Sequence, residues 1–164
     1  MHAVISPDGR YRYWLERELP WSFYVSEGVA AETTCAFIML NPSTADATQD
    51  DPTIRRCKHF ATALGASKLI VANLYAYRAT NPAELRTADD PVGPENTFYL
   101  QSALDSRHVI VAWGTHAAEE RVARLRAMAD NKPLWCLGTT KTGAPRHPLY
   151  VPNTKELEPW GGDH

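Results

Sequence analysis

Four mainly apolar segments separated by helical patterns constrain the fold of this chain most strongly. They cover residues 35–40, 68–73, 109–114 and 134–137. Short apolar segments that do not alternate with polar residues are typical of strands buried on both faces of a sheet. Because helices are predicted between them, we expect parallel strands joined by right-handed crossovers.

The helical segments have recognisable ends. Asp51 is predicted to cap a helix that starts at Pro52 and extends to about residue 64, before Gly65. Further helices are predicted over residues 94–106 and 115–129, with Thr115 capping the last. The sequence therefore predicts an α/β fold, a three-layer α/β/α sandwich with a central, mainly parallel, four-stranded sheet.

The chain reads as one domain over residues 1–164, without repeats or a linker. Residues 1–30 are predicted to form an N-terminal hairpin or cover. The pair Asp8-Gly9 marks a turn, and residues 11–17 then nearly alternate aromatic and charged side chains, as in a strand at the sheet edge with one solvated face.

Charge and hydropathy exclude several classes of protein. The formal net charge is −2 and the pI is about 6.3, so the chain lacks the basic character of proteins that coat nucleic acid. Its longest apolar segments fall far short of the roughly 20 residues that cross a bilayer, and the first residues do not resemble a secretory signal. We expect a cytoplasmic protein without a membrane partner or an evident obligate protein partner.

Cysteine usage gives no sign of a metal or redox site. The chain has three cysteines, Cys35, Cys57 and Cys136, which are widely spaced and include no Cys-x-x-Cys pair. Buried thiols are predicted. We expect neither a metal nor another cofactor.

The predicted topology also gives the location of a binding site. In parallel sheets, ligands bind in the crevice outside the carboxyl ends of the strands. Here the loops at those ends begin at Asn41, Asn73, Gly114 and Gly138. Polar residues that are distant in sequence are therefore expected to converge there.

Four segments, taken in order, resemble landmarks of the uracil-DNA glycosylase superfamily. Residues 40–43, LNPS, resemble the first active-site loop, closest to the Asn-Pro form of the mismatch-specific uracil and thymine enzymes. Residues 73–82 and 109–118 resemble the second- and third-strand segments of the bacterial thermostable enzymes. Residues 147–150, HPLY, resemble the second active-site loop, which begins His-Pro in many members. The resemblance implies a uracil-DNA glycosylase-like fold.

A closer resemblance covers almost the whole chain. Residues 40–57, LNPSTADATQDDPTIRRC, look like the signature of a bacterial and phage family designated domain of unknown function 1643. That family carries no agreed activity, so the resemblance bears on the fold more than on catalysis. The thermostable glycosylases carry an iron–sulfur cluster on four cysteines, and the three cysteines here do not provide such a set.

Glycosidic cleavage sets chemical requirements that some of these residues can meet. Breaking a bond between a base and its sugar develops positive charge on the sugar and negative charge on the base. Asn41 could orient the attacking water, and Asp46 or Asp51 could act as the base or stabilise the cation. Local bonding of Asp46 to backbone, and capping by Asp51, remain alternatives. Asn41-Pro42 could equally be only a turn that ends a strand.

The superfamily resemblance implies further roles. Asn73 would read the edge of an extruded base, Tyr75 would stack on it, and His147 would donate a hydrogen bond to the base oxygen. Leu149 stands where a serine is common and would either fill the space of the flipped base or pack in the core. For Asn73 a loop cap, and for Tyr75 core packing, remain open.

The remaining site predictions concern the first loop and the phosphates. Pro42 and Ser43 would contact the substrate as part of the first active-site loop. Arg55, Arg56 and Arg78 either bind phosphates or form solvated surface.

The predicted function is that of a metal-independent, base-flipping DNA repair glycosylase that hydrolyses the N-glycosidic bond of a damaged, mismatched or modified base. DNA, duplex or single-stranded, would be its partner. Two rivals remain: an enzyme acting on free nucleotides or modified bases, and a non-catalytic module that binds a base or nucleotide.

Overall fold

Seven strands form one mixed sheet in the computed structural model, which describes residues 1–20 and 32–161. In chain order the strands are β1 His2–Ile5, β2 Arg12–Glu18, β3 Thr34–Met39, β4 Lys68–Asn73, β5 His108–Val111, β6 Trp135–Cys136 and β7 Glu158–Pro159. Their order across the sheet is β1-β2-β4-β3-β5-β6-β7.

The four predicted strands form the centre of this sheet, and all of them run parallel. β3 pairs with β4 on one side and with β5 on the other, and β5 pairs with β6. The predicted strand number was too small, because β1 and β2 add to β4 as an antiparallel hairpin and β7 adds antiparallel to β6. β7 has only two residues, too few to show a period in the sequence.

Three helices lie on the two faces of the sheet: α1 Pro52–Ala63, α2 Asn96–Leu104 and α3 Glu119–Ala129. In β3, Cys35, Phe37 and Met39 pack in the same apolar cluster as α1, whereas Ala36 and Ile38 pack in the cluster that contains residues of α2 and α3. Successive side chains of a strand point to opposite faces, so helices cover both faces.

The first helix is formed as the sequence predicts. Asp51 caps α1 by accepting a 2.9 Å hydrogen bond from the backbone N–H of Ile54, and Pro52 occupies the first turn. The chain leaves the helix through Gly65, whose φ of +76° is readily adopted only by glycine. The apolar stripe buries Ile54 and Cys57 against the sheet.

The start of α3 was predicted wrongly. Its first residue is Glu119, and Ala118 is the N-cap, so Thr115 does not cap it. Gly114, with φ of +76°, is followed by a non-helical stretch up to Ala118, whose backbone N–H donates to the Tyr75 hydroxyl. The turn at Gly114 therefore overrides the helix-forming composition of the next residues, and residues 115–118 form a loop beside the sheet.

The N-terminal hairpin lies deeper than its alternating pattern indicates. β2 is not an edge strand, because it pairs with β1 on one side and with β4 on the other. Two of its charged residues, Arg12 and Arg17, are buried. The rest of the predicted cover, from residue 21 onward, lies outside the described residues.

All three cysteines are buried thiols, as predicted: Cys35, Cys57 and Cys136. Within residues 1–20 and 32–161, no helix has the length and apolarity that crossing a membrane requires. The same part of the chain contains no group of three or more His, Cys, Asp or Glu residues arranged to hold a metal ion.

The strand order creates a crevice between β3 and β5. After β3 the chain crosses to β4 on one side, and it later returns to β5 on the other side. The loops that follow β3 and β5 therefore diverge, and the carboxyl ends of these two strands form a topological switch point, where ligands bind in open α/β sheets.

Candidate functional site

A cavity of about 520 Å³ opens at this switch point. Its wall includes residues from the carboxyl ends of β3, β4 and β5, the start of α1 and the loop after β6. The structure brings six of the predicted site residues to this wall: Asn41, Ser43, Asp51, Asn73, His147 and Leu149. A volume of this size accommodates a heterocycle or a nucleotide.

Asn41 presents a hydrogen-bond acceptor to the cavity. Its Nδ2 donates to the carbonyl of Ala79 at 2.7 Å and to that of Pro42 at 3.1 Å. Carbonyls can only accept, so these contacts fix the orientation of the amide. The described residues supply no partner for Oδ1, which is left free to accept from a water or a ligand.

Asn73 is the most unusual polar group of the site. It ends β4, is only 1% exposed and lines the cavity, yet neither Oδ1 nor Nδ2 has a hydrogen-bond partner among the described residues. Its backbone is held in place, because Asn96 Nδ2 donates to the Asn73 carbonyl at 2.9 Å. A buried amide left unpaired costs free energy, so the side chain of Asn73 is available to bond to a ligand or a water in the cavity.

His147 presents a hydrogen-bond donor to the same cavity. The backbone N–H of Leu149 donates to His147 Nδ1 at 3.2 Å, so the neutral ring carries its proton on Nε2. Burial lowers the pKa of His147 below the ordinary 6.5, and the negative charge of Asp51 opposes this shift only in part. The imidazole is therefore neutral at physiological pH, with an Nε2–H available for a ligand.

The lowered pKa of His147 predicts an acid-sensitive stability. The unfolded chain takes up a proton at this residue near pH 6.5, whereas the folded chain resists it, so stability is lost as pH falls through the folded pKa. The wild type should therefore lose more free energy of unfolding than His147→Asn between about pH 7.5 and about pH 5. Urea unfolding at both pH values measures this. Equal losses of unfolding free energy in the two proteins would contradict the lowered pKa of His147. Burial also lowers the pKa of His108, but this residue is present in both proteins and does not affect the difference between them.

The two candidate carboxylates occupy different places. Asp46 does not line the cavity; it accepts from the backbone N–H groups of Thr48 and Gln49, which lower its pKa. Asp51 caps α1 with Oδ1 and also lines the cavity. Capping and a site role are therefore compatible for Asp51, whereas Asp46 closes a local turn.

These placements separate the carboxylates experimentally. Asp51→Asn keeps an acceptor for the Ile54 N–H but removes the charge, so we expect little change in stability and at least about a hundredfold loss of any turnover at this site, the lower limit for an acid–base group. Asp51→Ala should also cost about 1 kcal/mol of folding stability through loss of the cap. Asp46→Asn is the matched control, and an equal effect at both positions would contradict the placement.

Two predicted substrate contacts are not at the cavity. Tyr75 is a core residue: it is buried in the apolar cluster under α2 and α3, the Arg121 guanidinium lies over its ring, and it does not line the cavity. The structure therefore favours core packing, the alternative that the sequence left open for Tyr75, over stacking on a base in this cavity. Pro42 is buried, and its carbonyl accepts from the backbone N–H of Ala79.

The predicted phosphate contacts also lie away from the cavity. Arg56 is bonded to the carbonyls of Pro148 and Val151, so it holds the segment that follows His147 against α1. Arg55 is exposed and donates to the Asp50 carbonyl. Arg78 is half-buried, and its guanidinium lies 3.5 Å from the Gly9 carbonyl. None of these three arginines lines the cavity.

The sequence analysis missed several cavity residues. The most notable is Arg12, a buried charge from β2, which the pattern had assigned to a cover strand. Others come from the rim and from the loops after β5 and β6: Trp113, Thr115, His116, Thr140, Arg146 and Tyr150. The available signal for Arg12 was its position between two aromatic residues, Tyr11 and Tyr13, since an arginine in an inner strand needs a buried partner.

The comparisons with known proteins give a family but no activity. No curated protein and no solved structure matches the chain significantly. Residues 12–149 match the model of one family, described as a protein of unknown function (DUF1643). This match covers most of the chain and includes every cavity residue discussed above except Tyr150. The chain therefore belongs to the DUF1643 family.

Proposed function

We propose that this protein is a glycosylase-like hydrolase that acts on the bond between a base and its sugar in DNA. The observation that carries the proposal is the unpaired, buried amide of Asn73 in a cavity shared with Asn41 and His147. An amide offers one donor and one acceptor side by side, the pattern that matches the edge of a nucleobase.

The resemblance to the uracil-DNA glycosylase superfamily supports the proposal. All four resembling segments, residues 40–43, 73–82, 109–118 and 147–150, contribute residues to the cavity wall. These residues are far apart in the chain, and the parallel arrangement of β3, β4 and β5 brings their loops together. Neutral donors and acceptors suit a reaction in which charge develops on both sugar and base.

In the proposed reaction the bond between the sugar C1′ and the base nitrogen breaks, and its electron pair remains on the base. Asn41 Oδ1 accepts a hydrogen bond from the water whose oxygen bonds to C1′. Asp51 stabilises the sugar cation and takes the proton that the water releases. His147 Nε2–H donates to the base oxygen as negative charge builds there. The departing base is protonated later from solvent.

Substrate recognition is assigned to the wall and the rim. Asn73 would hydrogen-bond to the edge of the extruded base. At the rim, Leu149 is 43% exposed and the adjacent Tyr150 is 74% exposed, which is unusual for large apolar side chains. In the proposed complex these two side chains fill the space that the flipped base leaves in the DNA stack.

The test is a panel of end-labelled oligonucleotides that carry uracil, hypoxanthine, thymine mismatches or phage-type modified bases, in duplex and single-stranded form. Release of a base leaves an abasic site, which alkali cleaves, so product strands report glycosylase activity. We expect cleavage with at least one of these bases. If no member of the panel gives product above an enzyme-free control, the proposal fails.

A second candidate is a protein that acts on, or binds, free nucleotides or modified bases. The specific observation in its favour is that Arg55, Arg56 and Arg78 do not line the cavity, while the chain carries a net charge of −2. Duplex binding through phosphates weakens steeply with added salt, whereas binding of a neutral base in the cavity does not. Titrations with oligonucleotides and with free bases at low and high salt therefore separate the two candidates.

A further inference from the structure

Arg12 is a buried cation without an ion-pair partner in the described part of the chain. The residue is 3% exposed, and its guanidinium makes one hydrogen bond there, from Nη1 to the Ala45 carbonyl at 2.7 Å. Its Nε is buried without a partner. A buried charge without an ion pair and with an incomplete set of hydrogen bonds is strongly unfavourable.

The next arginine of β2 shows what a structural arginine looks like in this fold. Arg17 is fully buried, but its Nε donates to the Asp50 carboxylate at 2.7 Å and its other nitrogens donate to backbone carbonyls, including those of Glu16 and Asp46. Arg17 therefore has a counter-charge, whereas Arg12 has Asp51 only as a nearby charge without a hydrogen bond. The contrast indicates that Arg12 keeps bonding capacity for something else.

The position of Arg12 limits what that partner can be. It belongs to the buried part of the cavity wall, together with Asn73 and the apolar side chains of Met39 and Val71. Burial lowers the pKa of Arg12 to about 10, so the group still carries its charge at neutral pH. The other cavity arginine, Arg146, is half-buried and donates to the Tyr150 carbonyl. A ligand therefore meets the Arg12 charge with the part that reaches the buried side chains of the wall.

We propose that Arg12 is a ligand-contacting residue that binds the negative charge of a heterocyclic ring, so that the cavity prefers heterocycles that are anions. The inference rests on the proposed function, in which the base enters first and leaves with the electron pair of the broken glycosidic bond. Arg12 would then stabilise the charge on the departing ring, beside the neutral donor of His147.

Free heterocycles of matched shape and different charge test the preference. 5-Nitrouracil, whose ring is ionised at neutral pH, mimics a departing base anion. Thymine also carries a substituent at position 5 but is neutral, and uracil is neutral without a substituent there. We expect the full-length wild type to bind 5-nitrouracil at least about tenfold more tightly than thymine by calorimetry. In Arg12→Met the ratio should fall to within about threefold, and Arg12→Lys should restore part of it.

The control is Arg10→Met, which removes the same charge from an exposed residue outside the cavity. It should leave the 5-nitrouracil preference unchanged. A wild type that binds thymine as tightly as 5-nitrouracil, or that binds none of the three compounds, would overturn the inference, and so would a preference that persists in Arg12→Met. The wild-type comparison decides even if a variant fails to fold. If the protein prefers the anion but cleaves no oligonucleotide, only the proposed function is contradicted. If it cleaves an oligonucleotide but shows no such preference, only this inference is contradicted.

Discussion

Replacement of Asn73 by leucine should raise the free energy of unfolding and, at the same time, abolish activity. Leucine has the same branching of side-chain heavy atoms as asparagine but no polar atom, and the adjoining cavity gives room for its larger volume, so it removes two buried groups that have no partner in the described structure. Relief of this desolvation penalty should stabilise the protein by about 1 to 3 kcal/mol. If Asn73 reads the substrate, turnover or base binding should fall by at least about 10²-fold. Denaturant unfolding and the oligonucleotide assay measure the two effects.

Asn41→Leu is the matched control, because Asn41 is also an asparagine after a parallel strand and at the cavity wall. Its Nδ2 bonds to the carbonyls of Ala79 and Pro42, so leucine there removes made hydrogen bonds. We expect destabilisation of about 1 kcal/mol together with a loss of activity. Opposite stability changes would distinguish the two residues. Asn73 would then be a site residue whose polar group lowers stability, whereas Asn41 would serve both the site and the folded structure. Destabilisation by Asn73→Leu would contradict the account.

Replacement of His147 by alanine should lower the rate of base release by about 10² or more, as loss of a preorganised donor does. The reason is geometric: the Leu149 N–H fixes the ring through Nδ1, which leaves the Nε2–H of this cavity residue for the ligand. Single-turnover measurement with the preferred oligonucleotide isolates the chemical step from product release.

His59→Ala provides the control for His147→Ala. His59 is exposed on α1, and its Nε2 contacts the Asn153 carbonyl rather than the cavity. We expect its substitution to change the rate by less than about threefold. Retention of the full rate by His147→Ala would contradict the role of the imidazole as the hydrogen-bond donor to the departing base.

The central strands and α1 were predictable because local signals agree with the tertiary structure there. Residues 35–40 and 68–73 are apolar on both faces because helices cover both faces of the sheet. The Asp51-Pro52 start of α1 combines a side-chain cap with a proline that needs no N–H donor. These signals coincide here, and the predicted bounds of β3, β4 and α1 lie within about one residue of those in the structure.

Other elements depend on contacts that the sequence does not reveal. Two-residue β7 exists because the chain returns to pair with β6, and the inner position of β2 follows from pairing on both sides. The alternating pattern of β2 gave the wrong environment for Arg12, since part of the polar face lies over the cavity and not in solvent. Tertiary pairing overrode the local pattern in both cases.

The location of the candidate site was easier to predict from the sequence than the residues that line it. The rule that ligands bind at the carboxyl ends of parallel strands led to the loops of Asn41 and Asn73, and the family resemblance led to His147; all three residues line the cavity. The same rule does not predict whether the side chain of a loop residue faces the cavity or the core. Tyr75 follows Asn73 by two positions but packs in the core, and Asp46 turns back onto its own loop.

The most direct test of the account is where a free base binds. Crystals of the full chain soaked in turn with uracil, thymine and hypoxanthine should show a ring in the cavity, with the Asn73 side-chain amide within about 3 Å of its polar edge. Occupation of this position would give the buried amide its missing partner. Bases that are ordered only elsewhere on the protein, while the Asn73 amide bonds to water alone, would contradict the claim that this cavity is a heterocycle site.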